Sequence, residues 1–226
     1  MKKCVIVVAG GKGLRMGGDL PKQFMPVCGK PVLMHTIQAF YDYDTQIRII
    51  LVLPENQIAY WRQLCETQPF SIPHQLVKGG ETRFHSVKNG LMEVGENTLV
   101  GIHDGVRPLV SQEIIAKAYQ IAKNEKAAFP AISVTDSIRE RDNEWGESHA
   151  VDRSKYFLVQ TPQVFLSDIL SDAYSQDYQE SFTDDVSVVE ATRVCRPVMF
   201  EGSKENIKIT TPIDLIIAKH LMKCRI

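Results

Sequence analysis

Residues 4 to 22, Cys4-Val5-Ile6-Val7-Val8-Ala9-Gly10-Gly11-Lys12-Gly13-Leu14-Arg15-Met16-Gly17-Gly18-Asp19-Leu20-Pro21-Lys22, constrain the fold more than any other stretch. Val5 to Ala9 is a run of five apolar residues, four of them β-branched, with no polar side to alternate with. Such a run forms a strand covered on both faces, as in a parallel sheet flanked by helices. The strand then meets glycines. Gly10, Gly11 and Gly13 let the backbone turn sharply and approach a ligand with no Cβ in the way, so that N–H groups can point at an anion. Lys12, Arg15 and Lys22 bring cationic side chains to the same place, and the stretch reads as an anion site, for a polyphosphate. The alternative is a plain glycine-rich strand-to-helix turn; three cations around one loop weigh against it, because they need an anion or open solvent.

Two familiar phosphate loops do not fit. Gly-Lys is followed here by Gly13-Leu14, so the hydroxyl that a P-loop supplies to Mg²⁺ is missing. A dinucleotide fingerprint beginning at Gly11 would put its third glycine on Met16. The chain of 226 residues is long enough to bury a full core, and residues 1–226 are expected to form a single α/β domain. A net charge of -1 supplies no general field for nucleic acid, although residues 1–30 hold six Lys/Arg against one Asp. Cysteines at 4, 28, 65, 195 and 224 are odd in number with no close pair, so they read as reduced thiols of a cytoplasmic protein. No apolar run approaches a membrane span and no cleavage signal follows Met1-Lys2-Lys3, so neither membrane insertion nor export is expected.

Along the chain, strand and helix alternate. A helix is expected from Pro31 to about Tyr43, a buried strand over Ile47 to Leu53, a helix to about Cys65 and a short strand over His74 to Val77. Gly79-Gly80-Glu81-Thr82-Arg83 forms a second glycine turn opening a helix through about Val94, with Thr82 as its cap. The turn falls at the sheet edge where open α/β sheets bind ligands. The apolar strand from Leu99 then delivers Asp104 at its C-terminal end, facing the first glycine loop, where a carboxylate can hold Mg²⁺ or another divalent cation. A simple turn-capping role with Gly105 is the alternative. His103 is given no role, since a lone imidazole is more often packed than ligating.

After a helix from Ser111 to about Asn124, the strand Ala127 to Ile132 contains Pro130, which lacks a ladder donor and marks a bulge or an edge. The pattern then changes. Val134 to Arg139 alternates, Arg141 to Glu144 is a polar turn and Ser148 to Arg153 extends again, so residues 134–153 read as a β-hairpin arm whose apolar side needs a partner. Tyr156 to Val159 returns to the domain, a helix is expected over about Leu166 to Tyr174, and Thr183, Asp184 and Asp185 stand at the start of a helix to about Thr192. Cys195 to Phe200 is a further strand. Lys208 lies between Ile207 and Ile209 and so points away from the core if they point into it, with a solvated lysine as the alternative. A final amphipathic helix follows.

The segments Ala9 to Met16 with Pro21-Lys22, Gly79 to Arg83 with Ser86, His103-Asp104-x-x-Arg107-Pro108, the arm, and Asn206-Ile207-Lys208-x-Thr210 together resemble the signature of nucleotidyltransferases, most closely the methylerythritol phosphate cytidylyltransferases. The resemblance covers essentially the whole chain. It implies a Rossmann-like, mostly parallel sheet with helices on both faces, of the nucleotide-diphospho-sugar transferase type, plus a protruding arm that clasps the partner of a homodimer. It implies CTP and a polyol phosphate as substrates, Mg²⁺ and no organic cofactor. Arg15, Lys22, Arg153 and Lys208 fall at its catalytic positions, with Arg153 and Lys208 on the acceptor. Ala9, Gly10, Gly11, Gly13, Gly80, Glu81, Ser86, Asp104, Arg107, Ser137 and Thr183 fall at substrate-binding positions, with Gly80, Glu81 and Ser86 on the cytosine. Glu81, Ser137 and Glu205 stand where the family more often has Asp, Thr and Asp, and Glu205 is left as a possible second metal contact. Ribitol 5-phosphate cytidylyltransferases share these motifs, and a silent nucleotide sensor on the same fold is the alternative from another class.

Overall fold

The structure is a computed structural model that describes residues 1–10 and 20–224. Gly11, Gly13 and Arg15, which carry part of the anion-loop expectation, lie outside the described residues.

The chain begins with β1 (Lys2–Val8), followed after Lys22 by the small antiparallel ladder of β2 (Pro26–Val27) with β3 (Lys30–Pro31). Then come α1 (Val32–Tyr43), β4 (Arg48–Leu53), α2 (Glu55–Thr67), β5 (Gln75–Lys78), α3 (Arg83–Leu91), β6 (Thr98–Asp104) and α4 (Gln112–Glu125). The second half supplies β7 (Ala127–Ser133), the arm strands β8 (Arg139–Arg141) and β9 (Ser148–Ala150), β10 (Phe157–Val159), β11 (Gln163–Leu166), α5 (Ser167–Ala173), α6 (Asp185–Thr192), β12 (Val198–Glu201) and α7 (Pro212–Cys224). β1 lies parallel between β4 and β6, and β5 extends the parallel set on the far side of β4. β11 runs antiparallel between β6 and β7, and β12 lies parallel along the other edge of β7.

The apolar run that opens the chain explains the layering. Along β1, Val5 and Val7 pack with Leu33, Ile37 and Phe40 of α1 and with Ile115 and Tyr119 of α4. Cys4 and Ile6 point the other way, toward Phe84 and Val87 of α3 and Leu170 of α5. β4 repeats the alternation, with Ile49, Leu51 and Leu53 on the first face and Ile50 and Val52 on the second. A strand buried on both sides cannot alternate polar with apolar, which is why these segments read as continuous hydrophobic runs. Pro31, Pro54, Thr82 and Ser111 stand at the N-caps of α1, α2, α3 and α4, and the Thr82 and Ser111 side chains accept from the backbone of His85 and Ile114. No helix of the described residues is long and apolar enough to cross a membrane.

Pro130 corrects one expectation. β7 is not an edge strand, because it is paired on both sides. Pro130 O accepts from Gln160 N at 2.8 Å, so its ring nitrogen faces the same neighbour. There the partner strand breaks: β10 and β11 flank residues 160–162, and the register against β7 slips by two residues between them. The missing donor is thus absorbed by a bulge in the neighbour, and Gln160 O receives Gln163 Nε2 at 3.4 Å instead.

The arm is shorter than expected. Only Arg139–Arg141 and Ser148–Ala150 pair, residues 134–138 are not strand, and Arg153 begins a 3-10 turn, Arg153–Lys155, capped by Asp152. The paired strands are polar and mostly exposed rather than apolar on one side. Exposed apolar surface sits instead at the arm's tip, where Trp145 is 92% exposed, and along Tyr156 to Val159 at its base.

One close approach fixes the strand that carries Asp104. A Cβ on Gly101 would lie 2.7 Å from Tyr119 Oη, and that hydroxyl donates to Cys4 O at 2.6 Å across the sheet. Gly101→Ala should lower the unfolding free energy by about 1–3 kcal/mol, the usual cost of overpacking a core, read as a lower urea midpoint with an unchanged slope.

Candidate active site

The C-terminal ends of β1, β5 and β6 open on a cavity of about 230 Å³ lined by Ala9 and Gly10 after β1, Gly80, Glu81 and Ser86 around the start of α3, Asp104 ending β6, and Lys22 and Lys208. This is the edge at which ligands of open α/β sheets bind. Gly80 cannot be replaced without movement: an added Cβ would lie 2.4 Å from the His85 Cβ and 3.0 Å from its carbonyl carbon. Ser86 holds the turn in shape, accepting from Gly80 N at 3.1 Å and donating to Thr82 O at 3.0 Å. One lone pair of the hydroxyl remains for a ligand donor. Lys22 opens a 3-10 turn whose next residue, Gln23, is fully buried and donates to Ala9 O at 2.9 Å and Gln57 Oε1 at 2.7 Å. The turn carrying Lys22 is thereby fastened to the end of β1.

Asp104 is the centre of the electrostatics. Its carboxylate is nearly buried, with Oδ2 at 3.0 Å from Lys208 Nζ and 3.1 Å from Arg107 Nε, and Oδ1 at 3.6 Å from Arg83 Nε. Burial works against ionisation, but Arg83, Lys208 and Arg107 together outweigh it and hold the carboxyl far below the ordinary range. Arg83 is itself clamped: Nη1 and Nη2 donate to the two oxygens of Asp185 at 2.9 and 2.6 Å. Asp185 is fully buried and also accepts from Tyr174 Oη at 2.6 Å, while Gln163 Oε1 accepts from its backbone N–H at 2.9 Å. Burial would lower the Arg83 pKa, and Asp185 and Asp104 more than reverse that.

Several expected site residues lie elsewhere. Arg107 is 8% exposed and is not among the described residues that line the cavity. Besides Asp104 it binds Asn206 O at 2.7 Å, so it braces Asp104 rather than facing a ligand. Lys208 does face the cavity, with Ile209 fully buried on the other side. Ser137 and Thr183 are exposed and do not line the cavity. Arg153 is exposed too, and its Nη1 donates to Thr135 O at the base of its own arm. Glu205 lines a separate cavity with Cys28, His35 and Asp42. Asp184 is the N-cap of α6 in a reciprocal pair with Ser187, whereas Asp185 does more than cap, because it anchors Arg83.

The sequence assigns no role to Arg83, Gln163 or Gln23, and it assigns Asp185 only the capping of a helix. Arg83 had a signal in its place directly after the second glycine turn, in the first turn of α3. Asp185 could not be paired with it by spacing, since the two lie 102 residues apart.

The donor set suits Mg²⁺ in one way only. Among the described residues no three His, Cys, Asp or Glu side chains converge, so there is no all-protein cage. Mg²⁺ commonly uses one or two carboxylates with water and substrate phosphates, and Asp104, held ionised at the cavity wall, fits as that single carboxylate.

Comparison with known proteins identifies the family. Residues 3–224 match the family model described as 2-C-methyl-D-erythritol 4-phosphate cytidylyltransferase. The chain is 57% identical over 221 residues to the protein of that name from Azobacteroides pseudotrichonymphae, covering 98% of this chain and 99% of the relative. It is 56% identical to the one from Bacteroides thetaiotaomicron, covering 98% and 100%. Among solved structures it is similar to the Thermus thermophilus cytidylyltransferase, at 28% identity with a TM-score of 0.79, covering 99% of this chain and 100% of that one. It is also similar to the 4-diphosphocytidyl-2C-methyl-D-erythritol synthase from Anaerococcus prevotii, at 26% identity with a TM-score of 0.81, covering 98% of both chains. With the Asp104 cluster set beside the second glycine turn at the sheet's ligand edge, and the match running through nearly every residue, the chain belongs to the 2-C-methyl-D-erythritol 4-phosphate cytidylyltransferase family.

Proposed function

We propose that this protein transfers the cytidylyl group of CTP to 2-C-methyl-D-erythritol 4-phosphate, releasing pyrophosphate and forming 4-diphosphocytidyl-2-C-methyl-D-erythritol, a step toward isoprenoid precursors. The observation that carries the proposal is the cavity in which Lys22, Asp104 and Lys208 meet the Gly80 turn, in a chain matched to this family over residues 3–224.

An acceptor phosphate oxygen attacks the α-phosphorus of CTP as the bond to the β-phosphate oxygen breaks, and the electron pair leaves with pyrophosphate. A phosphate's second pKa is about 6, so the nucleophile is already largely anionic at neutral pH and no general base is required. The difficulty is bringing two polyanions together and stabilising charge at the α-phosphorus. Lys22 faces the cavity for that purpose, and Arg15 joins it by its place in the sequence motif. Lys208, also on the cavity wall, holds the acceptor phosphate. Ala9, Gly10, Gly80, Glu81 and Ser86 bound the nucleoside end, where the remaining Ser86 lone pair can accept from the exocyclic amine of cytosine. Mg²⁺ bound by Asp104 would neutralise triphosphate charge and assist the leaving group.

Arg153 and Ser137 do not reach the cavity of their own chain, and the exposed Trp145 and Tyr156 to Val159 beside them call for cover. A homodimer in which the arm lies on the partner supplies both, with Arg153 gripping the acceptor in trans. Five unpaired cysteines suit a cytoplasmic enzyme, where thiols stay reduced.

Pyrophosphate release should require a divalent cation, proceed with CTP and methylerythritol 4-phosphate, and be much weaker with ATP or GTP. A higher specificity constant for ribitol 5-phosphate would move the acceptor assignment while leaving the nucleotide chemistry in place. Lys22→Ala and Arg15→Ala should each lower the single-turnover rate by roughly 10² to 10³, the usual cost of removing one preorganised group aimed at developing charge. Unchanged rates in both variants would remove these cations from the chemistry.

Subunit exchange between inactive Lys22→Ala and Arg153→Ala proteins tests the arm. A mixed dimer carries both lesions at one site and neither at the other if Arg153 works in trans, so random exchange should restore about a quarter of wild-type activity. Exchanged dimers, verified by sedimentation, that regain nothing would return Arg153 to its own subunit.

A further inference from the structure

His103 precedes Asp104, is fully buried and packs edge-to-face on Phe40 at 4.9 Å between ring centroids. Both ring nitrogens are engaged: Nε2 lies 3.2 Å from Arg107 O, and Nδ1 lies 3.0 Å from Thr161 Oγ1. Thr161 Oγ1 is also 3.2 Å from the backbone nitrogen of Asp104. Arg107 Nε then donates to Asp104 Oδ2 at 3.1 Å.

The direction of every link is fixed by its two backbone ends. A carbonyl can only accept, so Nε2 of His103 carries a proton; the ring is fully buried and therefore neutral, which leaves Nδ1 bare. A bare Nδ1 can only accept, so the Thr161 hydroxyl spends its one hydrogen there. Its oxygen is then left to accept from Asp104 N–H, which can only donate. The chain of bonds runs from Asp104 N–H through Thr161, His103 and Arg107 back to the Asp104 carboxylate. Asn206 ties the ring shut from outside, donating through Nδ2 to Thr161 O at 2.8 Å and accepting from Arg107 Nη1 at 2.7 Å.

We propose that His103 and Thr161 are positioning residues for the nucleotidyl transfer: through this closed circuit they fix the Asp104 carboxylate against Arg107 and so aim it into the cavity. This deepens the function proposed above and rests on the part that Asp104 plays there. Neither residue is among the described residues that line the cavity. Losing a link lets the turn from Asp104 to Arg107 relax, and Asp104 loses its setting while the Gly80 turn, built on other residues, keeps its own.

Two measurements test the circuit. In ¹⁵N-labelled unsubstituted protein, the imidazole resonances of His103, assigned by their loss in His103→Gln, should show Nε2 protonated and Nδ1 bare; the opposite tautomer overturns the proposal. Thr161→Val keeps the shape and removes the hydroxyl, and should lower kcat by about 10–100-fold, the range found when a supporting partner of a functional carboxylate or ligand is removed, with a much smaller change in KM for CTP. Thr161→Ser restores the hydroxyl and should restore kcat. A Thr161→Val enzyme with unchanged kcat, or a Thr161→Ser enzyme as slow as the valine variant, overturns it. If Thr161→Val does not fold, the tautomer and the serine variant decide. A wild-type protein that releases no pyrophosphate from CTP would instead overturn the functional reading, and the tautomer would still judge the circuit.

Discussion

Everything at the ligand edge of this sheet depends on one carboxylate kept ionised where burial opposes it. Desolvation of Asp104 is unfavourable, and removing one partner of a buried charge typically costs about 3–5 kcal/mol because the other is left uncompensated. Three cations surround Asp104, and Asp185 balances one of them, so Arg83, Arg107 and Lys208 against Asp104 and Asp185 leave a surplus of one positive charge. Lys22 and Glu81 line the same cavity. The site is therefore prepared for a polyanion without an unpaired acid at its centre. It is also ordered: Asp185 occupies both Nη groups of Arg83, so only Nε turns toward Asp104 Oδ1, at a distance beyond a hydrogen bond.

The fold makes this arrangement affordable by drawing the charges from distant segments onto rigid supports. Asp104 ends a strand buried along its whole length. Arg83 is in the first turn of α3, Arg107 follows β6, and Lys208 precedes α7, anchored by the buried Ile209. Asp185 opens α6, whose first turn is tied to β11 through Gln163. Asp104, Arg83 and Asp185 sit at element ends and Arg107 and Lys208 in the loops that follow β6 and β12, and each is held by a bond to a residue distant in the sequence. Preorganisation of this kind is what lets electrostatic stabilisation act without reorganising during reaction.

The layers and the location of the site were legible in the sequence because both depend on local pattern. Continuous β-branched runs gave the doubly covered strands, and the two glycine turns with Asp104 gave the edge of the sheet where the cavity lies. What local pattern could not carry was pairing over distance. Arg83 with Asp185 and Arg107 with Asn206 are joined only by the completed fold, and Asp185 looked like a helix cap because capping is what its position alone predicts. Pro130 marks a bulge, as its missing donor predicts, but the bulge falls in the neighbouring strand, which local pattern does not show. The arm's alternation was read as a paired apolar face, yet the pairing begins only at Arg139 and the exposed apolar groups lie at Trp145 and beyond Tyr156. His103 was set aside on the frequency of packed histidines, which holds for its burial and misses its wiring.

Lys208 shares the Asp104 carboxylate with Arg107. Its ammonium rests 3.0 Å from Asp104 Oδ2, while 41% of the side chain stays open to solvent. A lysine without such a rest would be drawn to solvent and would pay side-chain entropy on meeting an acceptor phosphate. Resting on Asp104, it is already on the cavity wall, and in the function proposed above an acceptor phosphate would be its second anion rather than its first. Arg107 Nε lies 3.1 Å from the same oxygen, so that oxygen has a cationic neighbour independent of Lys208. The bracing arginine and the partly exposed lysine thus divide one carboxylate oxygen between them, leaving the other directed at the clamped Arg83.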